Sequence, residues 1–298
     1  MQGSRNIIFI IFAMFLWGSM ISLIKDLIGK IPPFTLTTLI FLIGLIFVFP
    51  FAYKQGFKTS QIAHRNHVIF GLMGVVLGFG LLHMGLLFIS VQHTLMIQSL
   101  APVCILVLSW SILTYRPNEF AWSGICVALI GVFLTIQISE ISMVESSWLG
   151  YLLVILSVIS FSFYVFIGKQ QMFLYKASVS HVIGMINGLI FLLPITVIEL
   201  WLKGLPAITL KDGFEIIYLG IGLAGGVLWF WLTGLREIRI DQILYYLFLI
   251  PFFAVIFDFV RHGSLEIWQW LGEILIIIGV WLGAAKHTQK SKKKPASS

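Results

Sequence analysis

The chain is written twice. Shifting it by 144 places lays Trp17, Lys25, Gly44 and Pro50 over Phe161, Lys169, Gly188 and Pro194. A shift of 149 lays Gly71, Gly85 and Pro102 over Gly220, Gly234 and Pro251, and one of 148 lays Trp122, Gly124 and Gly131 over Trp270, Gly272 and Gly279. Shifts this similar, differing by a few loop residues, predict two copies of one structural unit. Each copy holds five long apolar stretches, so an odd number of membrane crossings separates a residue from its counterpart. The second copy must then sit upside down relative to the first.

Membrane crossing follows from composition. The chain is 59% hydrophobic and 10% charged, against roughly 25% charged residues in a soluble domain. A helix needs about 20 apolar residues to span the hydrocarbon. Ten segments are read this way: 6–24, 33–53, 67–90, 93–115, 120–138, 148–169, 180–201, 213–235, 240–260 and 267–286. Their apolar runs are continuous and do not alternate, which favours helices over a barrel. The expected fold is an all-α polytopic membrane protein with ten transmembrane helices. They form two inverted five-helix repeats, 1–139 and 140–286, followed by a basic tail, 287–298.

With ten spans the termini share a side. That side holds 14 of the 19 Lys and Arg residues, while only Lys25, Lys30, Lys203, Lys211 and Arg261 fall opposite. This split predicts both termini in the cytoplasm and location in the cytoplasmic membrane. The net charge of +7 thus reflects topology. The tail KSKKKPASS reads as an anchor beside anionic lipid; it lacks the interleaved aromatics and folded platform that nucleic-acid binding needs. The first apolar run is too long for a signal peptide and has no small-residue cleavage site. Cys104 and Cys126 lie inside expected spans and fit neither a metal site nor a disulfide framework, and no cofactor is expected. No G-x-S-x-G, H-E-x-x-H or phosphate-cradling glycine loop points to an enzyme.

Three features carry a resemblance: FLWGSMISLIKD near the start, a proline within the fourth and ninth spans (SLAPV and LFLIPFF), and the spacing E-x4-G-x6-G over Glu119, Gly124 and Gly131. In this order the chain resembles the EamA-type transporters of the drug/metabolite transporter superfamily over nearly its whole length. Phe161-Ser162 stands where the first copy has Trp17-Gly18, so the halves diverge there. The resemblance implies a secondary transporter in the cytoplasmic membrane, moving small metabolites such as amino acids, frequently outward. It also implies a cavity surrounded by helices one to four and six to nine, with five and ten packed outside.

Polar side chains at membrane depth cost free energy unless they meet a partner or a wet cavity. His83, Gln98, Ser99, Tyr164, Asn187, Tyr245 and Tyr246 qualify, and Trp17, Phe161, Trp229 and Trp231 are aromatics able to stack on a flat or cationic ligand. The expected substrate-binding set is Trp17, His83, Gln98, Tyr164, Asn187, Trp229 and Tyr245. Pro102 and Pro251 are the expected gating residues, aided by the glycine clusters 71–80 and 220–226. Glu273 is expected at an interface or in a lateral contact, and Asp258 and Arg261 as a local ion pair. Expected partners are membrane lipids, a small neutral or zwitterionic substrate and a coupling proton, with a homodimer left open. A lipid or lipid-linked headgroup flippase is the alternative function.

Overall fold

The computed structural model describes residues 2–113, 119–135, 147–238, 240–262 and 267–284, and all regular structure in them is helical. α1 is Gln2–Ile28, α2 Pro33–Lys54 and α3 Arg65–Leu86. α4 has two pieces, Val91–Gln98 and Ala101–Leu113. α5 is Glu119–Thr135, α6 Trp148–Leu174, α7 Ala177–Lys203 and α8 Leu210–Glu237. α9 runs from Ile240–Ile243 through a tighter 3₁₀ stretch, Leu244–Phe248, into Leu249–His262; α10 is Ile267–Ala284.

α1 to α4 and α6 to α8 are long and apolar enough to cross a membrane. The fifth, ninth and tenth expected spans contain shorter apolar helices, Trp122–Thr135, Leu244–Phe257 and Ile267–Gly283. α9 is interrupted by its 3₁₀ turns, while α5 and α10 border residues outside those described. The expected Asp258–Arg261 pair likewise involves side chains outside them.

Local chemistry sets the helix ends. Pro33 opens α2, where its missing N–H costs nothing. Ser90 Oγ accepts from the His93 amide at the head of α4, and Thr209 and Asp212 cap α8 reciprocally. α7 stops at Gly204, whose φ of +80° suits glycine. Glu199 of α7 reaches the start of α2, where its Oε2 accepts from the Thr35 amide at 2.7 Å and the Thr35 hydroxyl at 2.9 Å. A carboxylate there meets unpaired amides and the positive end of the helix dipole.

Packing joins the two halves throughout. α1 lies against α8 and α9, α6 against α3 and α4, α2 against α7 and α8, α7 against α3, and α5 against α10. Matched helices cross in antiparallel sense. In α2 and α7, Thr35 meets Glu199 while Thr38 meets Thr196 at 2.6 Å. In α5 and α10, Gly124 abuts Gly279 while Gly131 abuts Gly272. Under the shift of 148, Gly124 matches Gly272 and Gly131 matches Gly279. The two glycine contacts therefore exchange into one another under that shift.

α3 and α8 carry the same irregularity. Leu72–Gly80 and Gly220–Val227 are wound as π-helix. Small residues let neighbouring backbones press in: a Cβ on Gly44 would sit 2.9 Å from the Gly220 carbonyl oxygen. π-helical winding is a local departure from the α-helical ladder. In α8 the Ala224 carbonyl accepts from His181 Nε2 at 2.6 Å. We expect His181→Phe to lower thermal stability by about 1–3 kcal/mol, because a buried carbonyl loses its side-chain donor. An unchanged unfolding midpoint in purified protein would contradict this.

Candidate functional site

Between the halves lies a narrow cavity of about 30 Å³. Its walls include three repeat-matched pairs: Trp17 and Phe161, Gln98 and Leu247, Ala101 and Ile250. The first pair is 144 residues apart and the other two are 149 apart. Trp17 and Phe161 touch edge to face, with centroids 5.5 Å apart at 82°, and Trp17 also stacks on Phe79 at 5.7 Å. The cavity therefore sits where the two copies meet, at positions where they have diverged. The first copy supplies the amide of Gln98 and the space beside Ala101; the second supplies the bulk of Leu247 and Ile250.

Helix chemistry explains this placement. A proline cannot donate to the carbonyl four residues earlier. For Pro102 that carbonyl belongs to Gln98, and for Pro251 to Leu247. α4 breaks between Gln98 and Ala101, and α9 tightens over Leu244–Phe248, each just before its proline. Both prolines thus mark the irregular stretch that borders the cavity. Pro102 is the second residue of its helical piece, where a missing N–H is tolerated.

Of the expected binding residues, Trp17 and Gln98 line the cavity, and Gln98 Oε1 is buried without a hydrogen-bond partner among the described residues. Ser157, also on the wall, donates its hydroxyl to the Val154 carbonyl at 2.8 Å. Tyr164 lies to one side, stacked on Phe70 at 4.5 Å and on Phe161 at 5.7 Å.

His83 is fully buried and outside this wall, with Nδ1 2.8 Å from Thr37 Oγ1. Thr37 donates to the Pro33 carbonyl at 2.7 Å, so its oxygen accepts from Nδ1–H. The lone pair of the ring is then on Nε2, which has no partner among the described residues.

Asn187, Trp229 and Tyr245 are not on the cavity wall. Asn187 Nδ2 donates to the Ile62 carbonyl at 3.0 Å and the Ile183 carbonyl at 2.9 Å, tying a loop to α7. Trp229 packs on Phe51 at 4.9 Å. Tyr245 is fully buried, its ring against Gly283 of α10. Glu273 is 5% exposed in α10 beside the glycine contact with α5, so it is in a lateral contact and not solvated.

Sequence reasoning missed a matched pair of lysine contacts. Lys25 Nζ donates to the Leu86 carbonyl and, at 2.9 Å, to that of Ile89. Lys169 Nζ donates to the carbonyls of Leu235 at 2.6 Å and Ile238 at 2.8 Å. The acceptors are 149 apart in each case. Each lysine satisfies carbonyls that the end of α3 or α8 leaves unpaired, with positive charge at the negative end of the dipole. Projecting the repeat shift onto the acceptors would have suggested it only once one contact was known.

Comparison with known proteins agrees with this architecture. An uncharacterized transporter of Bacillus subtilis, YyaM, is 24% identical over 282 residues, covering 88% of each chain. An uncharacterized transporter of Archaeoglobus fulgidus is 21% identical over 97% of this chain and 100% of its own length. A solved crystal structure superposes with a TM-score of 0.73 at 19% identity, covering 92% of this chain and 94% of the other, a likeness of fold. The profile of the EamA-like transporter family matches twice, over residues 4–137 and 148–284, and the chain belongs to that family.

Proposed function

We propose that the chain is a secondary transporter that carries a small metabolite across the cytoplasmic membrane, as an exporter, by alternating access. The observation that carries this reading is the cavity walled by repeat-matched residues of both halves. Two similar half-bundles can exchange conformations around such a site and so expose it to each side in turn. The antiparallel crossings of α2 with α7 and α5 with α10 support an inverted repeat; in this reading the chain crosses ten times, and the excess of Lys and Arg on the terminal side supports both termini in the cytoplasm. In this reading Pro102 and Pro251 are bending points beside the site. His83 Nε2, a lone pair near α2 with no partner among the described residues, is the candidate for a coupling proton.

The test is transport in sealed vesicles carrying the purified protein, with pooled neutral heterocycles, amines and amino acids, with and without a pH gradient. Flux above protein-free vesicles that Trp17→Ala abolishes at normal protein abundance is the expected result. Full flux in that variant would remove the cavity from the mechanism. A cytoplasm-active reporter fused after Ser298 should be active; activity of an extracytoplasmic reporter there overturns the orientation.

A further inference from the structure

We infer that the cavity is built for an uncharged, flat molecule that donates hydrogen bonds and carries no carboxylate, with Gln98 as its polar anchor. This rests on reading the cavity as the cargo site. Three observations converge on it.

First, no Asp, Glu, Lys or Arg is among the described residues on the wall. Lys25 and Lys169 instead direct their ammonium groups at backbone carbonyls. An ionic group entering the cavity would lose hydration and find no counter-charge.

Second, the buried polar atoms with unused capacity are hydrogen-bond acceptors. Gln98 Oε1 is buried and has no partner among the described residues, and Ser157 has spent its proton on Val154, leaving lone pairs. Pro102 also gives the backbone carbonyl of Gln98 no N–H. Buried acceptors are satisfied by a donor, whereas a carboxylate brought beside them would be repelled, with only the Gln98 amide N–H groups to donate to it.

Third, the remaining wall is aromatic and flat. The Trp17 ring contacts those of Phe79 and Phe161, and the room beside them is narrow, about 30 Å³, so a ring system enters only as these side chains part. Between α4 and α9 the polarity is one-sided, because Leu247 occupies in the second copy the position of Gln98. The cargo's donor therefore faces α4 and its apolar edge faces α9.

Purified full-length protein is titrated with one ring system in five forms: indole, 1-methylindole, tryptamine, indole-3-acetate and tryptophan. Indole is flat, uncharged and donor-only, so it is expected to bind saturably and most tightly. 1-Methylindole, which lacks the donor, should bind about five- to tenfold more weakly. In Gln98→Leu, which copies Leu247 of the other repeat, indole should weaken by the same factor and the two ligands should bind alike. Ala101→Trp, or Ala101→Ile where the larger side chain prevents folding, should weaken every ligand that binds.

Absence of saturable indole binding overturns the proposal, as does equal binding of indole and 1-methylindole to the unmodified protein. Tighter binding of tryptophan, tryptamine or indole-3-acetate that the Ala101 variants abolish also overturns the cargo class, but leaves the cavity as the site. If the Ala101 variants fold and leave the tightest ligand unaffected, the central-site reading itself fails.

Discussion

Gly71→Ala destabilises the protein by about 1–3 kcal/mol, and Gly71→Leu prevents it from accumulating in the membrane. A Cβ at position 71 would lie 2.5 Å from the Gly184 carbonyl oxygen, 2.7 Å from Asn187 Cβ and 2.7 Å from the Gly188 nitrogen. Two of these are backbone atoms that no rotamer change can move, so α3 and α7 would have to separate. That separation would strain the Asn187 bond to the Ile62 carbonyl. Among helices in lipid, close backbone approach is a principal source of association.

The equivalent contact in the other half predicts the same loss for Gly44→Ala, whose Cβ would meet Ala224 Cβ at 2.6 Å and the Gly220 oxygen at 2.9 Å. Gly213→Ala is the control, since no atom of the described residues lies within 4 Å of its Cβ. Thermal unfolding of purified protein checks the series. Equal midpoints for Gly71→Ala and Gly213→Ala would refute the close-packing account.

Positions such as Gly44 and Gly71 were legible in the sequence because glycine in a membrane helix has few structural uses, and its recurrence at a fixed shift narrows them further. The helical architecture was legible for a related reason: continuous apolar runs admit one hydrogen-bonding solution in lipid. The cavity was legible only in part. Trp17 and Gln98 stand out as a large aromatic and an amide at depth. Ala101, Leu247 and Ile250 are ordinary residues in a chain that is 59% hydrophobic, and only their relation by the repeat shift distinguishes them.

Asn187 exposes the weakness of searching for polarity at depth. Such a search finds groups that must be satisfied, without telling a carbonyl from Ile62 apart from a passing ligand. The π-helical winding of α3 and α8 escapes for another reason. Glycine clusters announce close packing, but the choice between hydrogen bonds four or five residues back depends on neighbours such as His181, which arrive from another helix.

Lys25→Met and Lys169→Met are expected to bias the transporter toward opposite sides of the membrane. In the proposed orientation, Lys25 ties α1 to the outer end of α3 and Lys169 ties α6 to the cytoplasmic end of α8. Hydrogen bonds from a charged donor contribute about 1.5–3 kcal/mol each. Methionine keeps much of the apolar stem and removes the donor. Loss of the Lys25 contact frees the outer end of the first half, and loss of the Lys169 contact frees the inner end of the second.

The shift is read with a single cysteine at Ala101, on the cavity wall, in a Cys104→Ser, Cys126→Ser background. A membrane-impermeant thiol reagent is applied from outside in right-side-out vesicles and from inside in inverted ones. Lys25→Met should raise labelling from outside, and Lys169→Met from inside, each by about tenfold or less, because some of the released energy returns through hydration of the freed carbonyls. Both variants shifting to the same side would contradict the inverted relation between the halves. Unchanged labelling in both would make the lysines plain helix caps, with no part in the exchange between states.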